Sequence, residues 1–201
     1  MDTLKYVCEK YKLDLNEKSP FLLSVGRFKD LPRLFHELGF KVGAEVGVYT
    51  GAYSRSLLKY CPGLKLYGID SWVKYGGYEG DHLSIDAYKL AEENVKGFDC
   101  KLIKSESKEA VQQFPDESLD FVFIDANHSY ESVVEDIALW SKKVRKGGIV
   151  SGHDFDDYSN HQRKWSEINV INAVEGWTKS YKIHPWFVLT KNNIKSWMYI
   201  K

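Results

Sequence analysis

The chain predicts an α/β fold, a largely parallel sheet with helices on both faces, on three observations. Apolar runs of strand length alternate with segments of helical period, small-residue turns separate them, and polar or acidic residues recur just after the apolar runs. With 201 residues, 43% hydrophobic and 28% charged, the chain is long enough to bury one substantial core. The expected organisation is a single domain over 1–201, with 1–40 a helical extension and 41–201 the sheet-bearing core.

Each element follows from local pattern. Tyr6, Val7, Tyr11 and Leu13 predict a short leading helix, closed by a turn over Asn16 to Pro20. Leu31, Leu34, Phe35 and Leu38 recur at helical spacing, with Pro32 suited to a first turn and Gly39 to a C-cap. The period then changes. Val42, Ala44, Val46 and Val48 alternate with Gly43, Glu45 and Gly47, so a strand runs into the small-residue turn Thr50, Gly51, Ala52. Ser54 to Tyr60 reads as a helix and Leu64 to Asp70 as a second strand. The Gly- and aromatic-rich Trp72 to His82 reads as a mobile loop before a helix from Asp86 to about Lys96. Further strands are expected at Lys101 to Ile103, Leu119 to Ile124 and from Ile149, with helices at Lys108 to Phe114 and Ser129 to Val144. Lys146, Gly147 and Gly148 read as the end of that last helix. Val170 to Trp177 predicts another helix, and Trp186 to Thr190 with Ser196 to Ile200 a closing hairpin around a polar Lys191 to Lys195 turn.

Parallel sheets bind ligands at the carboxyl ends of their strands. Gly51, Asp70, Ser105, Asp125 and Asp154 each follow a predicted strand, so they are expected on one edge. In KVGAEVGVYTGAYSRSLL, Gly47 and Gly51 let the backbone turn around Tyr49 and Thr50 and approach a ligand. Asp70, with Ser71 and Trp72 after it, ends the next strand 25 residues beyond Glu45, where a carboxylate can accept from both ribose hydroxyls.

At these residues the chain resembles the class I S-adenosylmethionine-dependent methyltransferases, whose first motif has the acid, glycine, glycine pattern of Glu45, Gly47 and Gly51. The resemblance implies a Rossmann-like, seven-stranded, mostly parallel sheet with an antiparallel C-terminal strand. It implies S-adenosylmethionine as cofactor, Asp70 on its ribose, and Trp72, Ser105, Glu106 and Ser107 near its adenine. A nicotinamide-dependent oxidoreductase is the competing reading of such a βαβ unit, but its loop favours G-x-G-x-x-G to seat a pyrophosphate. A cofactor-binding module without turnover is the other alternative.

LDFVFIDANHSYESVVEDI and GGIVSGHDFDD are two strands that each end in acid and histidine. Asp125 and Asp154 at adjacent mouths suit a hard cation such as magnesium, and His128 suits a base near neutral pH. These segments resemble the metal-dependent branch of the family, including sugar O-methyltransferases, which implies magnesium on Asp125 and Asp154 and His128 as general base; Asp125 and His153 beside it are the other catalytic candidates. Relatives often carry a second acid or amide after the position of Asp154; here Phe155 stands there, leaving Asp156, Asp157 or Asn127 to substitute.

Lys+Arg and Asp+Glu each total 28, so no net field recruits nucleic acid. The run after the fourth strand, Asp125 to His128, lacks the Asp/Asn-Pro-Pro-aromatic motif of amino methyltransferases. A small-molecule or sugar acceptor is expected, not nucleic acid. Scattered Cys8, Cys61 and Cys100, no leader-like N-terminus and no long apolar run predict a cytoplasmic protein without a membrane span.

Overall fold

The computed structural model describes residues 2–73, 86–157 and 168–201. The loop expected over Trp72 to His82 lies, after Val73, outside them, as do Tyr75, Tyr78, His161 and Trp165. The elements run α1 (Thr3–Tyr11), β1 (Phe21–Leu23), α2 (Asp30–Glu37), β2 (Val42–Val46), α3 (Ala52–Tyr60), β3 (Lys65–Asp70) and α4 (Ala87–Val95). They continue β4 (Cys100–Lys104), α5 (Ser107–Ala110), β5 (Leu119–Ile124), α6 (Tyr130–Lys143), β6 (Val144–Gly152), α7 (Val170–Ser180), β7 (Trp186–Leu189) and β8 (Ser196–Ile200).

All described strands join one sheet in the order β1-β7-β8-β6-β5-β2-β3-β4. The mostly parallel sheet is as expected, and β8 is antiparallel to both β6 and β7. The strand count is corrected from seven to eight. The extra strand, β1, is three residues long and pairs in parallel with β7 at the sheet edge, too short to display a period. A second correction concerns Lys146 to Gly148, read as a helix end: β6 starts at Val144 and absorbs them. A register shift between Leu119 and Phe121 accompanies the change, and Gly147 there has φ 72°, a conformation that suits glycine. Helix α6 instead stops at a C-cap on Val144, with Lys142 and Lys143 in its last turn complementing the helix dipole.

Strand alternation divides the core between the two faces. Ala44, Val46, Val122 and Ile124 face one cluster with Ile137, Trp140 and Val174. Phe121 and Phe123 face the other with Leu31, Phe35 and Leu57. Phe35 stacks on Phe121 at 4.1 Å, which docks α2 against the sheet. Parallel strands covered on both faces read as near-continuous apolar runs, and β5 shows this from Phe121 to Ile124. The consequence for function is positional. The chain leaves β2 toward β3 and β4 on one side, and returns to β5 and β6 on the other, so a crevice opens between the ends of β2 and β5.

Candidate functional site

The glycine loop is built around that crevice. Gly47 has φ 93°, and a Cβ there would lie 1.9 Å from the Asp125 carbonyl oxygen, so the ends of β2 and β5 meet with no room for a side chain. The Gly47 N–H donates to the Ile69 carbonyl at 2.8 Å and the Asp125 N–H to the Val46 carbonyl at 2.7 Å. Gly51 is left-handed at φ 75° and forms the N-cap of α3; a Cβ there would come within 2.9 Å of the Ala91 backbone. Tyr49, also left-handed, is left 42% exposed at the loop tip.

Asp70 holds the loop by both carboxylate oxygens. One accepts from the Tyr49 N–H at 2.8 Å and the other from the Trp72 N–H at 2.7 Å. The Trp72 indole donates back to the Tyr49 carbonyl at 2.8 Å and meets Tyr88 edge to face. Asn94 of α4 donates to the Thr50 carbonyl. Ser71 is buried beside Asp70. Ser105 continues the same edge, its N–H bonded to the Asp70 carbonyl at 3.0 Å, and Glu106 is the N-cap residue of α5. Ser107 turns the other way: its hydroxyl donates to Asp136 and accepts from the Trp140 indole, so it braces α5 against α6.

Glu45 is 1% exposed and accepts from the Ser54 hydroxyl, so it ties β2 to α3 beneath the loop. Burial drives its carboxyl up to about 8 despite that hydrogen bond. A folded-state pKa above the unfolded value removes stability as pH rises from 4.5 to about 8. Glutamine keeps an acceptor for Ser54 and has no proton to lose. Glu45→Gln is therefore expected to fold and to abolish this alkaline loss, read from urea midpoints of both proteins between pH 5 and about 9.

At the ends of β5 and β6 the two acids and two histidines converge as expected. His128 Nε2 lies 3.4 Å from Asp125 Oδ1 and 3.0 Å from Asp154 Oδ2. His153 Nδ1 lies 3.7 Å and 3.2 Å from the same two oxygens. Asp154 sits at φ 54°, a left-handed conformation that Asp tolerates better than most residues. Helix α6 is capped by Ser129, so Asp125 has no capping duty.

Sequence reasoning missed Arg27, from the segment between β1 and α2. Its guanidinium donates to Asp125 Oδ2 at 2.8 Å and lies over the Phe28 and Tyr53 rings. Nothing local advertises this, because the partner is 98 residues away.

The charges settle one another. Burial opposes a charged His128, but the hydrogen bonds and charges of Asp125 and Asp154 win and push its imidazole up to about 10. Burial works against the Asp125 and Asp154 anions too, yet the two histidines hold both carboxyls below the usual range. Without a metal the carboxylates thus favour the cationic form of His128, which would have to give up its proton to serve as a ligand, and its Nδ1 is buried without a partner among the described residues. Asp125, His128 and Asp154 each offer a ligand atom within 4.8 Å of the others, a donor set that fits a divalent cation. Phe155 packs edge to face on Trp186 in the core. Of its suggested substitutes, Asp156 is paired with Lys195 at 3.0 Å and Asn127 accepts from the Ser129 N–H.

A cavity of about 370 Å³ adjoins this cluster, lined by Arg27, Phe28, His153, Lys191, Asn192 and their neighbours. A larger one of about 520 Å³ lies among Thr3, Arg145, Lys146 and Lys201 at the amino ends of the parallel strands, away from every residue above. No described helix is long and apolar enough to cross a membrane, and Cys8, Cys61 and Cys100 are free thiols.

This architecture has known counterparts. A family model described as a methyltransferase domain matches residues 44–155, which takes in the glycine loop, Asp70, Asp125 and Asp154. An uncharacterized protein of Acanthamoeba polyphaga mimivirus is 31% identical over 134 residues, or 64% of this chain and 58% of that protein. The match thus spans less than two thirds of the relative. An O-methyltransferase from Bacillus cereus in complex with SAH superposes with TM-score 0.64 at 15% identity, over 100% of this chain and 91% of the other. A SAM-dependent methyltransferase from Aquifex aeolicus gives 0.59 at 17%, over 87% and 90%. A precorrin-6y C5,15-methyltransferase from Geobacter metallireducens gives 0.55 at 14%, over 81% and 80%. At these identities the likeness is one of fold, and the counterparts include both an O-methyltransferase and a C5,15-methyltransferase. With the family model matching more than half of its 201 residues, the chain belongs to the methyltransferase-domain family.

Proposed function

We propose that the protein transfers the methyl group of S-adenosylmethionine to a hydroxyl of a small molecule or sugar. The observation that carries this reading is Asp70, whose two oxygens pin the glycine loop through Tyr49 and Trp72 and keep lone pairs for a ribose. Beside it lies a crevice that ends at a cluster able to handle an acceptor proton. A cofactor with no pyrophosphate suits a loop with Gly47 and Gly51 but no third glycine at dinucleotide spacing.

The chain's own residues then divide the work. Gly47 and Gly51 admit the cofactor close to the backbone, Asp70 orients its ribose, and Trp72 shields the loop. Asp125 and Asp154 raise His128 and His153 alike, so position and not charge distinguishes the two as bases. His153 faces the same carboxylates through Nδ1 and lines the cavity, so its other nitrogen is the one placed to take the acceptor's proton. A divalent ion on Asp125, Asp154 and His128 would supply Lewis acidity at that hydroxyl. An imidazole among the donors suits a first-row transition ion better than magnesium.

Calorimetry with S-adenosylhomocysteine is expected to show binding that Asp70→Ala abolishes or weakens at least about tenfold, the cost of about one charge-assisted hydrogen-bond pair. Absence of binding to folded wild-type protein would overturn the reading. His153→Gln is expected to lower kcat by about 10²- to 10⁴-fold with S-adenosylhomocysteine affinity unchanged. Activity that survives chelation and Asp154→Ala would remove the metal from the scheme.

A further inference from the structure

The cavity beside the acid and histidine cluster has an uneven chemistry. Among its described lining residues are two cations, Arg27 and Lys191, and no carboxylate. Each cation has an acid of its own, but that acid is not part of the lining. Arg27 is held by Asp125 at 2.8 Å and Lys191 by Asp30 at 2.9 Å, and Asp30 is fixed in turn by the Gly26 N–H. A guanidinium carries five N–H donors and an ammonium three, so one ion pair leaves most of each unspent. Asn192 accepts from the Arg27 N–H at 2.8 Å, which occupies its carbonyl oxygen and leaves its amide donors. The opposite character is supplied by Phe28 and Ile194, 40% and 38% exposed, which also line the cavity.

A donor-rich wall matches a ligand group that only accepts. A neutral hydroxyl brings a proton that such a wall has few sites to receive, whereas a carboxylate or phosphate brings acceptors alone. We infer that this cavity is the acceptor site, and that it takes a hydroxylated compound bearing an anionic group. The carboxylate or phosphate lies between Arg27 and Lys191, the body against Phe28 and Ile194, and the hydroxyl toward His153. This rests on the methyl-transfer reading and narrows its acceptor class. It also explains why the turn between β7 and β8 is so polar: Lys191 and Asn192 serve the site as well as the turn.

The test uses matched pairs, 4-hydroxybenzoate against 4-hydroxybenzamide and glucose 6-phosphate against glucose, titrated into the protein with and without S-adenosylhomocysteine. At least one anionic member is expected to bind about tenfold or more tightly than its neutral partner, with the preference shrinking as salt rises. The pair that responds identifies carboxylate or phosphate. Lys191 is 57% exposed, so Lys191→Gln is expected to cut the preference only about threefold, and Lys191→Glu to remove it. Both changes should leave the S-adenosylhomocysteine affinity in place, and Lys191→Glu, which sets a second carboxylate beside Asp30, should lower the urea midpoint more than Lys191→Gln does. The inference is overturned if neither anionic member binds, if neutral members bind as well, or if Lys191→Glu leaves the preference intact. Loss of S-adenosylhomocysteine binding would instead count against the methyl-transfer reading, because acceptor binding is also measured without it.

Discussion

Alanine at position 47 is expected to destabilise the protein by about 4 kcal/mol or more and to abolish S-adenosylhomocysteine binding, a cost in the exceptional range for a single substitution. Two penalties combine. The backbone at Gly47 is left-handed at φ 93°, which costs a residue with a Cβ about 1–2 kcal/mol. The larger penalty is overlap, since the added carbon would sit 1.9 Å from the Asp125 carbonyl oxygen and 2.7 Å from the Ala126 nitrogen. Neither neighbour is a flexible side chain. Both belong to backbone at the end of β5, itself tied to β2 by the Asp125 to Val46 hydrogen bond, so relief means separating the strands that form the crevice. Gly39→Ala separates the two penalties: Gly39 also has positive φ, at 74°, but nothing lies within 4 Å of its Cβ position. Its expected loss is only about 1–2 kcal/mol, with cofactor binding intact. Equal urea midpoints for the two variants would show that the close approach of β2 and β5 is not real.

That contact also shows where the sequence was legible. The alternation of Val42, Ala44 and Val46 and the apolar run of β5 placed both strands, and acids at strand ends were enough to expect Asp70, Asp125 and Asp154 on one edge. Periodicity works there because parallel strands are buried on both faces and leave a strong local signal. It fails where the signal is not local. Phe21 to Leu23 is three residues whose pairing partner, β7, lies far along the chain. Arg27 sits in a turn, and only the fold carries it to Asp125. Resemblance to the family places Ser107 near the adenine, yet the first turn of α5 rotates its hydroxyl onto Asp136 and Trp140. His128 was legible as a member of the cluster but not in its charge, which depends on having both Asp125 and Asp154 at its Nε2.

The charge of that cluster governs the second large effect. In chelator-treated protein, Asp154→Asn is expected to cost about 3 kcal/mol or more near pH 6, as removal of one partner of a buried pair does. At pH 10 it should cost much less. Asparagine is the informative substitution because it tolerates the left-handed backbone that position 154 adopts, φ 54°, so the variant reports charge instead of strain. The pH dependence follows from the two kinds of group. The His128 imidazole is raised from 6.5 to about 10, so its contribution is complete below 6.5 and drains away as pH climbs toward 10. The Asp125 and Asp154 carboxyls are lowered from 3.8, so theirs is complete above 3.8 and drains away as pH falls. Wild-type stability should therefore peak between about pH 4 and 6.5 as far as this cluster is concerned. In Asp154→Asn the His128 pKa should fall back toward 6.5, visible as an alkaline-limb shift of its ring-proton resonance, and the urea midpoint should lose its decline between pH 7 and about 10. A wild-type ring proton that titrates near 6.5 without metal would mean the two carboxylates do not hold His128 as a cation.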